Sequence, residues 1–157
     1  EIWPMDNHRV GDNYQGEKVF TKLHHIGVVT TDLEAARHFW ANVIGLREDT
    51  LRSPIGVGRL DDSDNVNVLD IPIGNSGIEC VNPADGTSGT AHFLEKYGGR
   101  SGGTMHHISL ATKDVKAAAD RLESKGLKLI GKPTNDRAWV HPKSAVGILI
   151  ELVHDDD

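Results

Sequence analysis

The chain has 157 residues, of which 38% are hydrophobic and 25% charged, and a formal charge of −6 at pH 7. These values suit one globular domain and argue against wholesale disorder and against a general nucleic-acid binder. No apolar run approaches the ~20 residues that span a bilayer, no basic-then-apolar leader opens the sequence, and the lone Cys80 cannot close an internal disulfide, so the expectation is a soluble, cytoplasmic protein.

Residues 1–21 are polar, carry Pro4, Gly11 and Gly16 and show no clean period; they read as an N-terminal extension. Leu23-His24-His25-Ile26-Gly27-Val28-Val29 then reads as a strand, and Asp32 is placed to cap a helix whose apolar face is Leu33, Ala36, Trp40 and Val43, with Gly45 as its stop. Further strands are expected near 46–51, 66–71 and 78–81. A connector over 84–103 holds a short helix around 89–97 and a glycine-rich stretch, 98–103, which follows a helix and precedes a strand, the reverse of a phosphate-binding loop. The pattern then starts again. Met105-His106-His107-Ile108-Ser109-Leu110-Ala111 is a strand, Asp114 a cap, Val115, Ala118, Ala119 and Leu122 an apolar stripe, and Gly126 a stop, with strands near 127–130, 138–141 and 148–153. The prediction is an α+β fold in which two tandem βαβββ modules, 22–83 and 104–153, form one domain over 22–157. Units this short bury their apolar faces only by pairing.

The repeat also reaches the last strand of each module. Gly77-Ile78-Glu79-Cys80-Val81 and Leu149-Ile150-Glu151-Leu152-Val153 each set one glutamate in an apolar run, where an uncompensated carboxylate costs several kcal/mol. Each half thus offers histidine on its first strand and glutamate on its last, so His25 goes with Glu79 and His107 with Glu151. Any one of these residues is ordinarily a packed histidine or a solvent-facing acid. Four in two matched copies point to a nitrogen and oxygen site for Co, Zn, Ni, Mn or Fe, although no HExxH or CxxC spacing is present. Strand alternation allows only one histidine of each pair to face a given side. Lys132, Arg137 and Lys143 fall near the turns before the last strands and suit an anionic substrate tail; Asp155-Asp156-Asp157 reads as a solvated tail.

These residues resemble the vicinal oxygen chelate superfamily, or glyoxalase fold, and within it the methylmalonyl-CoA epimerases. The resemblance rests on His-His-Ile-Gly-Val-Val with Asp-Leu-Glu-Ala-Ala (24–36), Phe-Leu-Glu-Lys-Tyr-Gly-Gly (93–99), Met-His-His-Ile-Ser (105–109), and the more specific His-Pro-Lys-Ser (141–144) with Gly-Ile-Leu-Ile-Glu-Leu (147–152). It implies a curved mixed sheet around a metal-binding cleft, with His25, Glu79, His107 and Glu151 holding a divalent metal. It implies a metal-dependent isomerase acting on methylmalonyl-CoA or a similar acyl thioester by α-proton abstraction, a metal-stabilised enolate and reprotonation from the other face. Glu151 is then a base as well as a ligand. Some members carry a further glutamate on the third strand; here that stretch reads Asn65-Val66-Asn67-Val68-Leu69-Asp70, which leaves Asn67 or Asp70 for the second acid/base role. The 132–137 stretch is shorter, and 52–64 longer, than the family pattern. A homodimer with a small-molecule substrate and no nucleic acid or membrane partner is implied. The alternatives on this fold are an Fe(II) dioxygenase, a glutathione-dependent lyase and a non-catalytic ligand-binding protein. His24 and His106 are expected on the opposite face of their strands.

Overall fold

Asp32 and Asp114 turn the chain from strand to helix in the same way. Both sit in extended backbone, at φ −142° and ψ 104° or 99°, and their carboxylates accept the amide hydrogens of Ala35 at 3.0 Å and Ala117 at 2.9 Å. The protein is described from a computed structural model over residues 19–52, 59–61, 65–98 and 102–157. The first module contains β1 (Lys22–Thr30), α1 (Leu33–Arg37), which runs on as a π-helical turn over His38–Val43, β2 (Arg59–Asp61), β3 (Val66–Ile73) and β4 (Ser76–Pro83). α2 (Gly89–Tyr97) lies in the connector. The second module contains β5 (Gly103–Thr112), α3 (Val115–Ser124), β6 (Leu129–Ile130), β7 (Arg137–Val140), a 3₁₀ turn over Pro142–Ser144, and β8 (Ile150–His154). Gly45 and Gly126 take φ of +89° and +93° where the first and third helical segments stop, a conformation that favours glycine.

One eight-stranded mixed sheet results, in the order β2-β3-β4-β1-β5-β8-β7-β6. β1 and β5 are antiparallel at its centre, β4 runs parallel to β1, and β8 runs parallel to β5. The order reads the same outward from the β1–β5 seam in both directions, as a duplicated unit joined at its first strand requires. α2 lies over one face, where Phe93 meets the His106 ring, and α1 and α3 cover the other. Leu69, Ile71 and Cys80 pack there with Leu33, Ala36 and Trp40, and Ala138, Val140 and Leu152 pack with Val115, Ala118 and Ala119. By alternation the opposite face receives the polar partners from the same strands.

Three expectations are corrected. No strand forms at 46–51: Leu46 instead donates its amide to Trp40 O at 2.9 Å, closing the π-helical turn, and the strand comes later, at β2. The extension is docked at its end, since Val19 and Phe20 pack on the second module and the Thr21 amide donates to Ala111 O at 2.9 Å; residues 1–18 lie outside those described. The acidic tail is docked at Asp155, while Asp156 and Asp157 stay exposed as expected. Asp155 is buried, its amide donates to Thr112 O at 2.8 Å, and its carboxylate lies 3.5 Å from Lys22 Nζ and 3.3 Å from Lys113 Nζ.

Replacing Asp114 with alanine removes one cap and should cost about 1 kcal/mol. In a chain of this size that is a fall of roughly 2–4 °C in Tm by calorimetry. An unchanged Tm would show that the Ala117 amide finds an equivalent partner in water.

Candidate metal centre and active site

Two rows of laterally neighbouring residues cross the open face of the sheet. In the first, Asp70 on β3 stands beside Glu79 on β4, Glu79 beside Gly27 on β1, and Gly27 beside His107 on β5. In the second, Trp139 on β7 stands beside Glu151 on β8, Glu151 beside Ser109 on β5, and Ser109 beside His25 on β1. Each row is the other written by the second module, and each ends on the partner module's central strand. The two histidines therefore meet diagonally across the seam. His25 Nε2 lies 3.0 Å from His107 Nε2, 3.3 Å from Glu151 Oε1 and 3.9 Å from Glu79 Oε2, and His107 Nε2 lies 3.9 Å from Glu151 Oε1. The ligand atoms of His25, Glu79 and His107 all fall within 4.8 Å of one another. Gly27 makes this possible, because a Cβ built on it would stand 2.1 Å from His107 Cε1.

Both histidine pairs sit at β-bulges. The β1–β5 register steps from Leu23 opposite Leu110 to His25 opposite Ser109, which makes His24 the extra residue, and from Gly27 opposite His107 to Val28 opposite Met105, which makes His106 the extra residue. A bulge suspends strict alternation, so the expectation that His24 and His106 turn to the opposite face is corrected. His24 Nδ1 lies 2.8 Å from His25 Nδ1, and His106 Nδ1 lies 2.8 Å from His107 Nδ1. With Nδ1 engaged by a neighbour, each inner ring presents Nε2 to the cluster; in the tautomer where the inner Nδ1 donates, that Nε2 carries a lone pair. Phe93 of α2 and Trp139 meet the His106 ring edge-on at 4.7 and 6.5 Å, and Trp139 meets the His107 ring at 5.0 Å.

Burial pushes His25 down to about 4, aided by the charge of His24, and pushes His107 down to about 2, aided by His106. Both rings are neutral at physiological pH and offer nitrogen lone pairs rather than positive charge. The glutamates are thus not balanced by imidazolium. Arg137 sets its Nε 3.0 Å from Glu151 Oε2. A divalent cation matches the donor types, two imidazole nitrogens and carboxylate oxygens. Ser109, fully buried between His25 and Glu151 in the second row, has a hydroxyl with no hydrogen-bond partner among the described residues.

Two cavities reach the cluster. The larger, of about 470 Å³, is lined by Glu79, His107, Glu151, Arg137, Trp139 and the start of α2. The smaller, of about 240 Å³, reaches His25 and Glu79 from the other module past Asp70, His24, Arg52 and Lys22.

The structure brings together His25, Glu79, His107 and Glu151 and sets Asp70 beside Glu79. It does not bring Asn67 to them: on an unbulged β3, Asn67 shares its side with Leu69 and Ile71, which pack against the helices. Sequence reasoning missed Gly27, Ser109 and Trp139, and it set Arg137 with Lys132 and Lys143 as a cation suited to an anionic substrate tail without placing it beside Glu151. A signal for the first two was present, since they are the second residue after each inner histidine, glycine in one copy and serine in the other.

A family model for the Glyoxalase/Bleomycin resistance protein/Dioxygenase superfamily matches residues 24–141. An ethylmalonyl-CoA/methylmalonyl-CoA epimerase of Cereibacter sphaeroides is 31% identical over 141 residues, covering 83% of this chain and 96% of that protein. The mitochondrial methylmalonyl-CoA epimerase of Homo sapiens is 29% identical, covering 83% and 72%. Among solved structures, a methylmalonyl-CoA epimerase of Streptomyces coelicolor in complex with 2-nitronate-propionyl-CoA superposes with a TM-score of 0.74 at 24% identity over 88% of this chain and 99% of that one, and the Mycobacterium tuberculosis epimerase gives 0.74 at 23% identity over 92% and 95%. The duplicated modules, the histidine and glutamate rows and the family match agree: the chain belongs to the Glyoxalase/Bleomycin resistance protein/Dioxygenase superfamily.

Proposed function

We propose that this protein is a divalent-metal-dependent epimerase of an acyl-CoA thioester, with methylmalonyl-CoA as the default substrate. The observation that carries the reading is the convergence of two neutral imidazoles and two carboxylates from duplicated modules on one point. The 31%-identical epimerase supports the substrate class. His25, Glu79, His107 and Glu151 hold the cation. When bound, it supplies positive charge beside the oxygen on which an enolate develops, which is the main obstacle to removing an α-proton.

The chain's own groups do the rest. Glu151, 3% exposed on its side chain, takes the α-proton on Oε1 while Oε2 stays with Arg137. Asp70 serves the opposite face of the substrate from the first module, which makes it the second acid/base group in place of Asn67. Trp139 and the start of α2 narrow the cavity and limit water at the reacting carbon. A homodimer and a cytoplasmic location belong to the same proposal. No helix among the described residues is long and apolar enough to cross a membrane.

Elemental analysis joined to deuterium uptake at the α-carbon of methylmalonyl-CoA in D₂O tests the reading. The expected result is one divalent ion per chain and exchange that a chelator abolishes; bound metal without exchange would keep the site and reject the substrate. Glu151→Gln should slow exchange by 10²–10⁴, the usual span for one acid/base group. Asp70→Asn should retain exchange with one epimer while losing inversion, and equal loss of exchange with both would remove Asp70 from the mechanism. Gly27→Ala should drive the His107 ring out of place and weaken metal binding by about 10–100-fold, as loss of a supporting contact does. Metal titration followed by calorimetry would show this, with unfolding still cooperative.

A further inference from the structure

We propose that His24 and His106 are positioning residues that set which nitrogen of His25 and His107 carries the proton, and that cation binding reverses one half of a chain of four histidines. This rests on the reading that His25 and His107 hold a divalent cation. The four rings form an unbroken row across the module seam. His24 Nδ1 lies 2.8 Å from His25 Nδ1, His25 Nε2 lies 3.0 Å from His107 Nε2, and His107 Nδ1 lies 2.8 Å from His106 Nδ1. The β-bulges at the histidine pairs create the row, since a regular strand would send His24 and His106 to the other face. Its ends reach different cavities, His24 the smaller and His106 the larger.

A neutral imidazole has one N–H donor and one lone pair. Each inner ring uses both of its nitrogens in the row, so a ring that donates at one contact accepts at the other. The central contact, at 3.0 Å, holds one proton, which belongs to one inner ring or the other. If His25 donates from Nε2, its Nδ1 accepts from His24, while His107 accepts on Nε2 and donates from Nδ1 to His106; if His107 donates, every direction is reversed. The row therefore runs head to tail through the seam. Ligation of a divalent cation requires instead a lone pair on both Nε2 atoms. Both inner rings must then keep their protons on Nδ1 and donate outward, which His24 and His106 accept on Nδ1 with their own protons on Nε2. One inner ring and its outer neighbour exchange tautomers, and the four rings keep the same number of protons. An outer group that donates in one arrangement and accepts in the other is what this exchange needs. Histidine fills that role and a hydrocarbon ring does not.

Ring ¹⁵N NMR of the full chain, with and without Zn²⁺, tests the assignment, because the two neutral tautomers have distinct nitrogen shifts. In metal-free protein the two inner rings should share a single Nε2 proton. With Zn²⁺ bound, both should be protonated on Nδ1 and both outer rings on Nε2. H24F and H106F keep a ring but no acceptor, and each should weaken Zn²⁺ binding by about 10–100-fold in chelator competition, the usual loss when a ligating histidine loses its other partner. H24N and H106N, whose amide oxygen accepts from the same Nδ1–H, should recover most of that loss. Cooperative unfolding is checked on every variant, and alanine replaces phenylalanine where it is lost. Wild-type Zn²⁺ affinity in H24F and H106F overturns the positioning role and leaves the metal reading intact. A chain that takes up no Zn²⁺, or that keeps an inner Nε2 proton when loaded, overturns the metal reading and the reversal with it.

Discussion

The buried Glu151 and the half-buried Glu79, both beside imidazoles that carry no charge, form the constraint that the rest of the site answers to. An acid so placed calls for a cation, because each uncompensated buried ion costs several kcal/mol, and Arg137 supplies one to Glu151 at 3.0 Å. Neutral His25 and His107 contribute lone pairs and not charge, since their burial pushes both well below the ordinary histidine value. The four clustered side chains come from β1, β4, β5 and β8, which are the four central strands and include both sides of the module seam. A cation held by all four, as proposed, would couple its binding to the stability of the sheet's centre.

Much of the fold was legible because duplication doubles every local signal. The two caps, the two glycine stops and the two acidic strands each appeared twice at matching places, and α2 falls at Gly89–Tyr97, where a short helix was expected. The strand expected at 46–51 was not legible as the loop it is. Leu46 is apolar for a reason unrelated to sheet pairing: it packs on the core beside Trp40 and closes a helical turn. Asp155 misled in the opposite direction, since an acidic terminus reads as solvated unless Lys22 and Lys113, both distant in sequence, are known to meet it.

In the site, the convergence of His25, Glu79, His107 and Glu151 was readable and its support was not. Alternation predicts that adjacent histidines on a strand part company, and here they do not. The register step that makes a bulge depends on the partner strand, so neither histidine pair shows it alone. Asn67 failed for the plainest reason: its side of β3 is fixed by Leu69 and Ile71, which the helices claim, whereas Asp70 takes the other side.

Where the two copies differ is as informative as where they agree. A strictly symmetric site would present identical groups to both faces of a substrate carbon, yet inverting a stereocentre joins two mirror-related substrates that approach the same fixed groups differently. The clustered side chains keep the symmetry, histidine matching histidine and glutamate matching glutamate. The flanks break it: Asp70 stands where the second module has Trp139, Val68 where it has Arg137, and Gly27 where it has Ser109. The Gly27 change follows from packing, since only a bare backbone admits the His107 ring, while Ser109 brings a hydroxyl to the side of Glu151. The result is a pair of rows whose clustered histidines and glutamates match while their flanks do not, with Asp70 on one module and Trp139 and Arg137 on the other.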